Sequence, residues 1–426
     1  MTSGSFRFPY GASFLEAVIP ARNLAAVLSR TQAPGLGKET EAVAAALRNP
    51  IGCPPLIDLV GRKTKVAVIV TDNTRACPDD RLLPPILDEL AQKLPRENIT
   101  IIIGLGLHPP LNKAELAQKV GENIVANYKV INHDIDDVVE IGTTSRGNPV
   151  EVNRRVIEAD FRLSTGFIEP HFFAGFSGGG KSIAPGVSSR RSICRNHGFK
   201  MIEDPFSRAG ILKGNPVHED IAEQAKMARL NFIVNILLND DKEITHLFAG
   251  DPLLAHEKGC KMEKALVGVK VNHKVDVTIT SNSGCPLDLD LYQTCKGIDN
   301  ASMITREGGI IIVASSCSRG PGPAAFLDLH SGAASPGEIL EKIRREEPVG
   351  VQWQNQILAR AQLTKTIYLV SDLDPEEVKK MLMLPVPSIE EGLAKALQAL
   401  GSGAEVAVIP EGPLVLPLLD LKRDDY

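Results

Sequence analysis

Short apolar, β-branched runs alternate along this chain with longer stretches of helical period. "KVAVIVT" (65–71), "ITIIIGLGL" (99–107), "NFIVNILL" (231–238), "VDVTITS" (275–281), "GIIIVASS" (309–316) and "EVAVIP" (405–410) read as buried strands. Between them "RLLPPILDELAQKL", "HEDIAEQAKMARL" and "SIEEGLAKALQAL" place apolar residues three and four apart, the mark of amphipathic helices. Such alternation predicts an α/β protein with mostly parallel sheets. A length of 426 residues favours more than one domain. Two α/β domains are expected, residues 1–270 and 271–426, with the boundary near "VGVKVNHK" (267–274).

The polar residues add a location. "TDNTR" follows the run ending at Thr71, "HPPLN" follows Leu107, "SNSGC" follows Thr280 and "SCSRGPGP" follows Ser315. Open α/β sheets bind ligands beyond the carboxyl ends of their strands, so these four turns are candidates for one pocket. Strand-to-helix turns are rich in such residues for purely conformational reasons as well.

Composition narrows the function classes. With 52 acidic against 47 basic residues the net charge is −5, without the basic stripe that nucleic acid requires. Seven cysteines stand singly, with no C-x-x-C pair, which excludes a disulfide framework and a zinc knuckle. The N-terminal residues lack the order of a secretory signal, and no apolar run approaches the ~20 residues of a membrane span. A soluble cytoplasmic protein, with no membrane partner, is expected.

"HFFAGFSGGGKSIAPG" (171–186) spells a phosphate loop: Gly175, four residues, then Gly180, Lys181 and Ser182. A working phosphate loop needs a buried strand before it and a helix from its lysine. "STGFIEPHFFA" makes a poor central strand, and Pro185 falls where the helix should begin. What survives is a small-residue nest: Ser177, Gly178 and Gly179 can close N–H groups round one phosphate. An ATP-dependent kinase or NTPase using residues 175–182 stays as the alternative. Tight, magnesium-dependent ATP binding would mark it. A cofactor-free binding protein is a third reading.

Of nine histidines, six (His133, His218, His246, His256, His273 and His330) lie in polar or helical contexts and read as solvated or capping residues. His108 ends an apolar strand before Pro109-Pro110, His171 precedes the glycines, and His197 closes "SRRSICRNHG".

Together these motifs resemble the nickel-dependent lactate racemase family. The resemblance runs through Asp72 and Arg75 in "TDNTR", His108 in "GLGLHPP", His171, Lys181 and His197 around "GFSGGGKSIAPG", "YQTCKG" (292–297) and "QWQNQ" around Trp353. It implies a nickel pincer nucleotide, a pyridinium-3-thioamide-5-thiocarboxylic acid mononucleotide whose two sulfurs and ring carbon hold nickel in a plane. Square-planar N and S donation suits Ni(II). By the resemblance His197 completes the plane, Lys181 matches the residue that tethers the cofactor, and the glycine nest with Ser177, Gly178 and Gly179 holds its phosphate. Maturation would then need the cofactor-making enzymes.

The implied activity is a racemase or 2-epimerase of an α-hydroxy acid. A base removes the hydroxyl proton while C2 gives up hydride, a planar 2-keto acid forms, and return to the opposite face inverts the centre. Histidine suits both base positions near neutrality; His108 and His171 match the family's pair. Arg75 and Lys296 match the grip on the carboxylate. Tyr292 and Gln293 match hydrogen-bonding partners and Trp353 a pocket wall, with packing the plainer role for Tyr292 and Trp353. Asp72 is placed to orient a histidine or a ribose hydroxyl. Because Tyr292, Gln293, Lys296 and Trp353 lie in the second half, the active site is expected in the interdomain cleft. One departure stands out. Pro109 follows His108 where many family members carry arginine, which leaves a short apolar acid, malate, an aromatic hydroxy acid and a sugar acid open as substrates.

Overall fold

All six apolar runs become strands and all three periodic stretches become helices in the computed structural model, which describes residues 4–419. The chain divides into two compact units. One holds the residues up to Thr31, Gly198–Pro205 and the chain from Val267 onward; the other holds Gln32–His197 and Phe206–Leu266.

In the unit built on Gln32–His197, six strands line up as Ile244–Gly250, Phe232–Leu238, Phe161–Phe167, Val66–Thr71, Ile99–Gly104 and Lys129–Asn132. Only the Ile244–Gly250 edge runs antiparallel. Val66 to Val70 are all buried, which explains their unbroken apolar run: both faces of a parallel strand are covered. The helix Asp79–Ala91 turns Leu82, Leu83, Ile86, Leu87 and Leu90 into that core.

Phe161–Phe167 corrects the sequence reading. It is a central strand, paired on both sides, although the stretch from Ser164 onward was expected to make a poor one. Two of its buried polar residues, Arg162 and Thr165, find partners inside the protein. Arg162 Nε donates to Val156 O at 2.9 Å, and the Thr165 hydroxyl donates to Asp79. The strand simply ends before Glu169 and Pro170.

The other unit carries a fully parallel sheet in the order Leu384–Pro385, Thr366–Val370, Thr305–Ala314, Val275–Ser281, Val406–Ile409 and Leu24–Val27. The hairpin Gly4–Tyr10 with Ser13–Ile19 adds Phe8, Ala17 and Ile19 to the core of Val277, Ile279, Ile312 and Leu393. The short helix Phe199–Glu203 docks here too, its Phe199 O accepting from Gln356 and its Ile202 O from Arg360. Two contiguous stretches, 1–270 and 271–426, therefore do not coincide with these units. The difference lies in residues up to Thr31, in Gly198–Pro205 and in residues 267–270, where strand pairing and helix docking outrank chain order. Among the described residues no helix is long and apolar enough to cross a membrane.

Candidate active site

Val66–Thr71 and Phe161–Phe167 are neighbours, yet the strands that follow them in sequence extend the sheet in opposite directions. Such a topological switch point leaves a crevice at the carboxyl ends. "TDNTR" leaves one of these two strands, and the hairpin and glycine turn leave the other.

The "TDNTR" turn is pinned from below. Asp79, fully buried at the head of its helix, pairs with Lys119 at 3.0 Å and accepts from Thr71 and Thr165, one residue from each flanking strand. Lys119 in turn donates to Cys77 O and Arg75 O. This buried pair had no signal in the sequence beyond an acidic residue at a helix start.

Above it Asp72, 3 % exposed, binds Nδ1 of His108 through Oδ2 at 2.5 Å. Its Oδ1 accepts from the Thr74 N–H and hydroxyl. Burial pushes the Asp72 carboxyl up, but the His108 bond and charge, Thr74 and the nearby Arg75 together hold it below its ordinary value. Ionised Asp72 therefore keeps the His108 proton on Nδ1 and leaves Nε2 to face outward from the pair. Of the two partners expected for Asp72, a histidine is the one at hydrogen-bond distance.

His171 lies on a two-residue strand, Pro170–His171, paired with Gly175–Phe176. Its Nδ1 accepts the Ala174 N–H at 3.3 Å, so the neutral ring carries its proton on Nε2, 3.4 Å from Lys181 Nζ. Lys181 can accept there only as a free amine. Burial and the repelling Arg75, partly offset by Glu169, push its pKa down to about 7.

Phe173 gathers the remaining groups. Its ring centroid lies 4.6 Å from that of His171 and 4.9 Å from that of His197, with Lys181 Nζ at 5.9 Å. His197 caps the helix Arg190–Asn196. It is 6 % exposed, and burial with the Lys181 charge lowers its pKa to about 3, which keeps the imidazole neutral, the form that ligates metals.

The glycine turn is not a phosphate loop. Gly179–Ser182 form one short 3-10 turn rather than the start of an α-helix. Two expected nest donors are already engaged: Ser177 N–H with Glu169 O at 2.9 Å, and Gly179 N–H with Asn235 Oδ1 at 2.7 Å. Gly178, at φ +80°, stands between them. His218 and His256, read from sequence as solvated or capping residues, instead underlie this turn. Their rings stack at 5.9 Å, and His256 Nε2 donates to Ser177 O at 2.8 Å. A Cβ on Gly179, whose φ is +55°, would lie 2.6 Å from His256 Cγ. No spacing rule links two histidines on separate helices, so the sequence could not show the pair.

In the other unit, Asp290 caps the helix Leu291–Ile304, which presents Tyr292, Gln293 and Lys296 within its first two turns. Tyr292 packs edge-on against Phe326, and its carbonyl accepts from Gln354, next to Trp353. That unit thus brings its four expected residues onto two touching helices.

Comparison with known proteins identifies the family. The family model described as "Lactate racemase N-terminal domain" matches residues 10–210, and "Lactate racemase C-terminal domain" matches 270–416. The chain belongs to the lactate racemase family. It is an isomerase of that family. The lactate racemase of Thermoanaerobacterium thermosaccharolyticum is 36% identical over 422 residues, spanning 97% of this chain and 99% of that protein. That of Lactiplantibacillus plantarum is 37% identical over 413 residues, 95% of this chain and 97% of the relative. The structure of the T. thermosaccharolyticum lactate racemase apoprotein superposes with a TM-score of 0.93 over 98% of this chain and 100% of that one. A Thermotoga maritima protein, 16% identical and covering 92% of this chain and all of that one, shares the fold at a TM-score of 0.66.

Proposed function

We propose that this lactate racemase family member interconverts the enantiomers of a 2-hydroxy acid, with lactate, the acid named in both relatives, as its first substrate. The observation that carries the reading is the convergence of His171, Lys181 and His197 on the Phe173 ring. The donor set fits a nickel pincer nucleotide. His197 offers a buried neutral nitrogen to nickel, and Lys181 an amine able to form the tether. Of the expected phosphate nest, Ser177 and Gly179 have their N–H groups turned into the protein, which leaves the Gly178 N–H as the phosphate-facing part. When bound, the cofactor supplies the acceptor for the hydride of C2.

The chain's own residues supply proton transfer and grip. His108 takes the 2-hydroxyl proton at Nε2, and Asp72 stabilises the imidazolium that results. His171 performs the matching transfer for the other enantiomer at its own Nε2. Accepting a proton there requires the ring's proton to sit on Nδ1, so the 3.3 Å bond from Ala174 is released in that half-reaction. Arg75 binds the carboxylate as a two-donor fork. The family resemblance assigns Lys296, Gln293, Tyr292 and Trp353 to the substrate as well. The site excludes bulk water from His197 and Asp72 by burial alone.

The test is direct. Protein co-expressed with the cofactor-making enzymes is given D- or L-lactate, and chirality is followed by chromatography. Equal conversion from either side is expected. No inversion and no keto acid across a panel of lactate, malate, aromatic and sugar acids would overturn the reading.

A further inference from the structure

Asp220 is fully buried in the helix Pro216–Met227, and its carboxylate meets four neutral donors. Oδ1 accepts from the Thr144 hydroxyl at 2.6 Å. Oδ2 accepts from Asn148 at 2.8 Å, Asn196 at 2.7 Å and Gln224 at 2.8 Å. A carboxylate is the one side chain that accepts at every lone pair and donates at none, so an amide here would set N–H against N–H. Burying a charge merely to join loops is costly. What the carboxylate joins is therefore informative.

Asn196 immediately precedes His197 and is itself 1 % exposed. The same helix reaches the other parts of the site. At its N-terminus Asn215 Nδ2 donates to Phe173 O at 2.9 Å. One turn on, Ile221 and Ala225 lie against Gly180, beside Lys181. His218 stacks on His256, which holds Ser177 O. One helix thus sets the places of Phe173, Lys181 and His197, and Asp220 is its attachment to the last.

We propose that Asp220, acting through Asn196, is a positioning residue that fixes His197 relative to Lys181. The proposal rests on the reading of His197 as the nickel ligand. Groups that orient metal ligands are typically worth about 10–100-fold in metal affinity.

The experiment compares two variants that each cut a bond to the same carboxylate. N196A removes the arm toward His197; T144V removes one on the far side. Both are expected to lower the melting temperature. After co-expression with the cofactor-making enzymes and desalting, nickel per chain is followed with time by mass spectrometry. N196A is expected to lose nickel about 10–100-fold faster than wild type, and T144V to match wild type. N196S, whose hydroxyl is too short to reach Asp220, is expected to follow N196A. In the cofactor-free proteins, diethyl pyrocarbonate labelling read by peptide mass is expected to find His197 protected in wild type and T144V and labelled faster in N196A. Equal nickel retention and equal protection in N196A and T144V would overturn the proposal. H197A separates the two ideas: if it keeps nickel as wild type does, the ligand reading fails, whatever Asn196 does to the ring.

Discussion

Asp72 and His108 form one unit: a buried carboxylate with one oxygen on Nδ1 at 2.5 Å and the other on Thr74. Asp72→Asn keeps the shape but presents the wrong hydrogen-bonding partner and no charge to an imidazolium. Turnover on either enantiomer is expected to fall about 10²–10⁴-fold with KM little changed, read by chiral chromatography. The Asp72 carboxyl is held below its ordinary value in the folded protein. Its stabilisation is therefore present at neutral pH and is lost as pH falls below about 4. Urea midpoints against pH are expected to show that acid limb in wild type and a shallower one in D72N.

Lys181 runs with the opposite sign. Its folded-state pKa is lowered to about 7, so above that the unfolded chain binds a proton that the folded protein does not. Stability is expected to rise with pH between about 7 and about 10, the window up to lysine's ordinary value. Lys181→Met removes that slope in the cofactor-free protein. An unchanged slope in denaturation midpoints would contradict the free-amine assignment.

Gly179→Ala tests the packing beneath the turn. The new methyl meets the His256 ring in a left-handed conformation, and a loss of about 1–3 kcal/mol in chemical denaturation is expected. Shrinking the obstacle with His256→Ala in the same chain is expected to restore part of it, although Ser177 O then loses its donor.

Lys119→Met strips the buried Asp79 of the cation it pairs with. A loss of about 3–5 kcal/mol is expected, and the double variant Asp79→Leu, Lys119→Met should recover most of it. Activity of the double variant is the informative readout. With Cys77 O and Arg75 O no longer held by Lys119, the turn carrying Asp72 and Arg75 loosens, and turnover is expected to stay low even where stability returns.

Strands such as Val66–Thr71 were legible because burial on both faces leaves a continuous apolar run, and helices such as Ile389–Leu400 because one face is buried. Phe161–Phe167 was harder, since Arg162, Ser164 and Thr165 interrupt the apolar run, and the Thr165 partner, Asp79, comes from a distant segment. The chemistry-bearing residues of the first half stood out through their motifs, and the structure brings His171, Lys181 and His197 to one ring and Asp72 to His108. Their supports did not stand out. Asp79, Lys119, Asp220 and His256 each tie together segments far apart in sequence, where periodicity and local spacing carry no information.

The parallel pairing of Leu24–Val27 with Val406–Ile409 has a consequence for inheritance. A gene fragment starting at the second family domain would encode a sheet whose last strand, buried at all four positions, has a bare flank. Bare strand flanks recruit other chains and aggregate. The codons for Leu24–Val27 and those for Val406–Ile409 are thus bound to travel together, and a cut between the two family domains would part them.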